Sequence, residues 1–373
     1  MDGTVMSHML EIEQELRANF VERNEEIRGL MLAALSSQHV LFLGPPGTAK
    51  TQLVQLWSEA LQARFFRRLL TKHTTPDEIL GPVSVKGMVD NEVWRRVLTN
   101  KAADSEIVFL DEVFKCGSAT LNALLSLMEE RTLDNDGVLH KAPLISMVGA
   151  SNEAPTDNDE GLGAFYDRFL LRYIVQYVSD WSLVREMIML PKPKFTGLPL
   201  TSAELAQAQA EVLKVRITPM ILEELEVLWG TLKEEGIVVS DRRLKQTITV
   251  MAAESWLEGF AEITPVSVRV AEHTMWVKPE DFILVKRIVL SSINPYAIKT
   301  AEIIEAANEA IVSLNLTSSE ALNQVQAIQV SRQLAEMLAE LKGFRSNDTS
   351  VLAGINLIER HRQTIARAMG LIP

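Results

Sequence analysis

Cysteine is nearly absent, since Cys116 is the only one among 373 residues. A lone thiol excludes an internal disulfide framework and a cysteine-rich metal site. The N-terminus, MDGTVMSHMLEIEQELR, has neither a basic n-region nor an apolar h-region, and with the single thiol it sets the expectation of a reducing, cytoplasmic setting. No apolar run approaches the ~18 to 20 residues that a membrane span requires, so a membrane role has no support. Positive charge is also scarce. With 37 Lys and Arg against 49 Asp and Glu, the formal net charge is -12. That balance argues against a protein whose main task is gripping nucleic acid, because neutralising phosphates needs a basic surface. Small basic groups such as Arg64, Arg67 and Arg68 remain, and this one reads as a solvated face. The 6 histidines show no metal-ligand spacing, there is no H-E-x-x-H, and no Ser/His/Asp order stands out. His73 and His140 read as surface or packing residues.

What is present is globular. Hydrophobic residues make up 47% and charged residues 23% of the chain, and 373 residues exceed what one core usually serves, so two or three domains are expected. Residues 7 to 36 read as two helices, the second with Ile27, Leu30, Met31 and Leu35 at helical spacing, ahead of the buried-strand run HVLFLG. Beyond a Gly/Pro-rich turn, Leu53, Leu56, Trp57, Ala60 and Leu61 mark an amphipathic helix. Further strands are expected at 65 to 70, 106 to 111, 143 to 151 and 172 to 178, and a loop at 151 to 163. Strands alternating with helices predict an α/β fold, with a parallel sheet covered on both faces. From about 180 the strands fade. Helices are expected at 202 to 214, 219 to 235, 241 to 260 and 279 to 291. A terminal hairpin follows, with Ser318 or Ser319 capping a helix that carries Val330, Leu334, Met337, Leu338 and Leu341 and stops at Gly343, then a last helix from 349 to 369. The expected domains are 1 to 180, 181 to 294 and 295 to 373.

The turn after the first strand, GPPGTAKT, nearly spells a phosphate-binding loop, with Ala49 where the strict pattern has a second glycine. Gly44, Pro45, Pro46 and Gly47, followed by Thr48, can turn backbone N–H groups inward at a phosphate. Lys50 brings a charge to the terminal oxygens, Thr51 offers a hydroxyl for Mg2+, and the next helix presents its positive dipole end. Ala49 is expected at the start of that helix with ordinary right-handed angles. The segment EIVFLDE ends a buried strand in two carboxylates: Asp111 is placed to share a Mg2+ shell with Thr51, and Glu112 to orient and polarise an attacking water. VGASN delivers Asn152 to the same sheet edge, suited to a terminal phosphate or its attacking water. In AFYDRFLLR, Arg168 stands before an apolar strand where it could serve an adjacent subunit's nucleotide. In VSDRRLKQ, Ser240 caps a helix and Arg242 or Arg243 could touch the terminal phosphate across the domain cleft.

The ordered set GPPGTAKT, IVFLDE, GASN, YDRF and SDRR, over roughly residues 20 to 260, resembles the AAA+ ATPases of the MoxR family, with wording like the RavA-like branch in ERNEEIRGLMLAAL, TPDEILGPVSVKG and LLSLMEER. In that family an alanine before the loop lysine is common. The resemblance implies an AAA+ αβα P-loop core, a small all-helical lid domain and a C-terminal helical extension. It also implies ATP and Mg2+ at a subunit interface, assembly into hexameric rings, a protein client and a von Willebrand factor A (VWA) domain adaptor. It assigns Lys50 and Thr51 to Walker A, Asp111 and Glu112 to Walker B, Asn152 to sensor 1, Arg168 to a finger acting in trans and Arg242 to sensor 2. Residues 81 to 96 resemble the helix-2 insert and 131 to 144 the hairpin before sensor 1. The β-rich module of RavA-like chains has no counterpart in the helical tail. The expected function is a ring ATP hydrolase that remodels a protein client; the rival is a nucleic-acid-associated motor or loader.

Overall fold

The computed structural model describes residues 3–155, 162–293, 295–312, 314, 324–344 and 349–368. They form two compact units, Met1–Val285 and Lys286–Pro373. The first opens with helices α1 (Gly3–Asn19) and α2 (Asn24–Ser36), which lead into β1 (His39–Leu43). Helix α3 (Lys50–Ala60), β2 (Phe65–Leu69), the short helices α4 (Pro76–Leu80) and α5 (Val85–Asn91), and β3 (Ile107–Asp111) follow. Next come α6 (Ser118–Asn122), α7 (Leu125–Glu129), the hairpin β4 (Thr132–Asn135) and β5 (Val138–Lys141), β6 (Ser146–Ser151), α8 (Leu162–Asp167) and β7 (Phe169–Ile174).

Five strands form one parallel sheet in the order β2-β3-β6-β1-β7. Every residue of β1 and β6 is buried, as expected for strands covered on both faces. At the edge, β2 exposes Arg67 and Arg68. The last strand begins at Phe169, not 172, and ends at Ile174. Arg172 hid this start: the charge falls mid-strand, fully buried, where a sequence reading places a boundary. Parallel strands put all their C-terminal ends on one side, and β1 lies between β6 and β7, so the loop after β1 opens into a crevice at that edge.

Hairpin β4–β5 turns through Asp136 and Gly137, both at positive φ (61° and 73°), the signature of a type I′ turn. It is laced to the segment that carries α5. Arg96 N donates to Asn135 Oδ1 at 2.7 Å, Asn135 Nδ2 donates to Arg96 O at 3.2 Å, and Trp94 N donates to Asp136 Oδ2 at 3.1 Å.

After β7 the first unit is helical: α9 (Trp181–Met189), α10 (Ser202–Val212), α11 (Pro219–Glu234), α12 (Asp241–Leu257) and the start of α13 (Phe282–Ile293). Helix α9 adds to the expected set, and it buries none of its residues. The helix starts follow capping chemistry. Thr201 and Glu204 make a capping box, Thr218 precedes Pro219 at N1, and the Ser240 hydroxyl accepts from Arg243 N. Two buried arginines join this helical region to the sheet. Arg172 donates to Trp276 O at 2.8 Å with its guanidinium 3.8 Å from the centre of the Tyr166 ring, and Tyr166 Oη donates to Val277 O at 2.7 Å. Arg243 donates to Thr274 O at 2.7 Å, Leu170 O at 3.0 Å and Phe169 O at 3.1 Å, and pairs with Asp167 at 3.2 Å.

In the second unit, α14 (Pro295–Val312), α15 (Gln324–Gly343) and α16 (Thr349–Ala368) enclose a core that includes Ile303, Ala307, Val330, Leu334, Leu338, Leu341, Ile358 and Ile365. Three helices, rather than a hairpin alone, build it. The expected cap at Ser318 or Ser319 lies outside the described residues.

Candidate functional site

The loop from β1 to α3 is built on two glycines. Gly44 has φ +153°, and a Cβ there would lie 1.9 Å from Val175 O; Gly47 has φ +81°. Glycine alone accepts both conditions without strain. Gly44 N donates to Ser151 O at 2.9 Å, which ties the loop to the end of β6. Ala49 departs from expectation. It is the N-cap of α3 with φ 64° and ψ 13°, a left-handed conformation, not the right-handed one expected of a helix start. A left-handed step at this position is one that glycine makes without strain. Alanine makes the same step under strain.

Lys50 extends across this loop, its Nζ donating to Gly44 O and Pro45 O, each at 2.7 Å. Burial lowers its pKa, against the opposing pull of Asp111 and Glu112. Thr51 and Asp111 line the same cleft of about 820 Å³. A hydroxyl and a carboxylate are the hard oxygen donors that Mg2+ takes, and the Gly44–Thr51 loop with Lys50 fits a triphosphate. Glu112 follows β3 at φ 53°, also left-handed. Asn152 Nδ2 donates to Glu112 Oε1 at 3.0 Å, and Lys115 Nζ stands 3.2 Å from Oε2. Asn152 therefore fixes the direction of the carboxylate at the cleft, which both residues line.

The arginines lie elsewhere. Phe169, next to Arg168, is in register with His39 at the start of β1, whereas Leu43, at its end, pairs with Ser151 and Ile174. Four strand steps, about 13 Å, separate these ends, so Arg168 sits on the sheet edge opposite the phosphate loop. Arg242 goes with it: Arg168 and Arg242 both reach Glu129, at 2.9 Å and 3.2 Å. Neither Arg168 nor Arg242 lines the cleft beside this chain's own phosphate loop. Arg243, the other choice, is only 2% exposed and committed to carbonyls and Asp167. Burial lowers its pKa.

Residues 7–191 match the family model described as the MoxR domain in the MoxR-vWA-beta-propeller ternary systems, and residues 220–289 match an AAA lid domain. The chain belongs to the MoxR family of AAA+ ATPases. An uncharacterized protein of Methanocaldococcus jannaschii is 36% identical over 311 residues, spanning 82% of this MoxR-family chain and 83% of the relative. The chaperone MoxR1 of Mycobacterium tuberculosis is 26% identical over 176 residues, 44% of this chain and 43% of that protein. A solved structure from Cytophaga hutchinsonii, provisionally described as an ATPase, has a TM-score of 0.62 at 16% identity, covers 78% of this chain and 94% of that one, and shares the fold.

Two parts of this MoxR-family site escaped the sequence reading. Phe20, Val21, Val178, Val184, Met187 and Leu190 give the cleft an apolar side, suited to a flat base. The spacing of Trp181, Val184, Met187 and Ile188 was the available signal for α9. Arg23, 7% exposed, lines the same cleft and donates to Thr48 O at 3.2 Å and Gln176 O at 2.7 Å, bracing the loop. No local pattern marks such an arginine. Among the described residues, no helix is long and apolar enough to cross a membrane.

Proposed function

We propose that this chain is a ring-forming ATP hydrolase whose active sites are shared between neighbouring copies. It would turn ATP hydrolysis into remodelling of a protein client. The observation that carries this reading is the separation of the phosphate loop and Glu112 from Arg168 and Arg242, at opposite ends of one sheet. A chain so arranged does not bring Arg168 and Arg242 to its own nucleotide, but a second copy stacked edge to edge can.

In this reading the inward N–H groups of the Gly44–Ala49 loop and the charge of Lys50 hold the β and γ phosphates. Thr51 and Asp111 would hold Mg2+, which supplies charge neutralisation on the phosphate oxygens. Glu112, directed by Asn152, accepts a proton from the attacking water as oxygen bonds to the γ phosphorus. The bond to the bridging oxygen breaks, and ADP leaves with the electron pair. Arg168 and Arg242 of the neighbour offset the charge that develops in that transfer. Phe20, Val184 and Met187 receive the adenine. A hexamer and a VWA-domain adaptor follow from the family resemblance, and the matched family model describes MoxR with vWA and β-propeller partners. MoxR1's description as a chaperone supports a protein client over nucleic acid, as does the net charge of -12.

Mixing decides it. Lys50→Ala and Arg168→Ala should each be inactive alone, the first because it loses nucleotide and the second with nucleotide still bound. Combined, they should regain phosphate release, because one intact site can form where an Arg168→Ala loop meets a Lys50→Ala arginine edge. No recovery in the mixture, with both variants folded and co-assembled, would remove the shared site. Glu112→Gln should bind ATP normally and lose turnover by two to three orders of magnitude, as loss of a general base does.

A further inference from the structure

Arg168 and Arg242 come from different regions and meet on one side chain. Arg168 stands between α8 and β7, Arg242 in the first turn of α12, and Glu129 at the end of α7. Glu129 Oε2 accepts from Arg168 Nη2 at 2.9 Å, while Arg242 Nη1 lies 3.2 Å from Oε1. Arg168 is held a second time, by donation from Nη1 to Ala164 O at 2.7 Å. Among the described residues, Glu129 is the only carboxylate in ion-pair range of either arginine. The hydrogen bond from Arg168, then the charges of Arg242 and Arg168, hold its carboxyl below the usual range.

Two guanidiniums this close repel unless an anion stands between them. One carboxylate, with an oxygen turned to each, sets both their separation and their direction. It does not use them up. A guanidinium has five N–H donors, and Glu129 engages one from each. Two guanidiniums and one carboxylate leave the trio a net positive charge.

We propose that Glu129 is a positioning residue. It braces Arg168 and Arg242 into a single two-pronged cation, so that both act together on a phosphate presented by a neighbouring copy. This rests on the reading that these arginines serve the neighbour's nucleotide. It also makes the arginine of the helical region answer to the arginine of the sheet.

The experiment is steady-state ATP turnover with full-length protein, alongside ATP affinity and the thermal midpoint. It compares Glu129→Gln, Glu129→Asp, Arg168→Ala, Arg242→Ala and the double arginine variant, the arginine changes also in the Glu129→Gln background. Glu129→Gln should lower kcat on the order of ten- to a hundredfold, as misplacing a positioned group does. Its KM, ATP affinity and midpoint should stay close to the parent. Glu129→Asp should recover part of kcat. The double arginine variant should lose little more than either single one, whereas in the Glu129→Gln background the two losses should multiply. If Arg168→Ala and Arg242→Ala leave turnover intact, the shared-site reading itself fails. If they abolish turnover while Glu129→Gln keeps or raises kcat, or if their losses multiply in the parent, Glu129 does not position them.

Discussion

Replacing Ala49 with glycine should stabilise the protein, and replacing it with valine should do the opposite. Ala49 holds φ 64° and ψ 13° at the N-cap of α3. A left-handed backbone costs a residue with a Cβ about 1 to 2 kcal/mol. Glycine removes that cost but adds about 0.5 to 1 kcal/mol of unfolded-state entropy. The N-cap lies outside the helix interior and itself prefers glycine to alanine, so no helix penalty applies. The net gain is roughly 0.5 to 1 kcal/mol, a rise of about 1 to 4 °C in thermal midpoint for a unit of this size. Valine, branched at Cβ, fits left-handed angles worse and should lose more than about 1 kcal/mol. Circular dichroism melts of the three variants, at one protein concentration and without nucleotide, give the order directly. A glycine variant that melts at or below the parent would refute the argument, because it would mean that this step of the loop is not left-handed in solution.

Gly44→Ala should be far worse than any change at Ala49, since its Cβ would meet Val175 O at 1.9 Å at a φ of +153°. We expect a loss of about 3 kcal/mol or more, read as a low thermal midpoint together with lost ATP binding. His39 offers a pH test. Its Nδ1 accepts from Met147 N at 2.9 Å and its Nε2 lies 2.9 Å from Met128 O, and burial, then the neighbouring Arg131, lowers its pKa to about 3. The unfolded chain takes up this proton near pH 6.5 and the folded one does not, so stability is complete above that pH and falls as pH drops toward 3. At pH 5 the loss is about 2 kcal/mol. His39→Asn should flatten the change in denaturation midpoint between pH 7 and 5, and an unchanged slope would show that His39 is not held neutral.

The strands that carry the phosphate loop, Asp111 and Asn152 were legible because they are buried on both faces and so read as unbroken apolar runs. Strand β7 was read three residues late because Arg172 satisfies part of its charge with Trp276 O and Val277 O, about a hundred residues on. Helix α9 was missed although Trp181, Val184, Met187 and Ile188 keep helical spacing, because none of them is buried in a core. The Ala49 conformation was out of reach for a related reason: propensity describes the helix, while the direction of the loop's N–H groups decides the residue before it. Placing Arg242 required strand register and helix packing, which no local pattern encodes. What separates Arg242 from Arg243 is burial and bonding: Arg243 is enclosed and tied to carbonyls and Asp167, while Arg242 is partly exposed beside Glu129.

Arg172 and Arg243 leave a mark on how such a machine could move. Swinging the helical region away from the sheet would break the bond from Arg172 to Trp276 O and those from Arg243 to Leu170 O, Phe169 O and Asp167, at about 1.5 to 3 kcal/mol for each bond to a charged group. That is enough to make the first unit behave as a stiff lever with no elbow. If copies share nucleotide sites as proposed, movement would then fall at the seam from one copy to the next, and a crosslink locking Asp167 to Thr274 should cost turnover little.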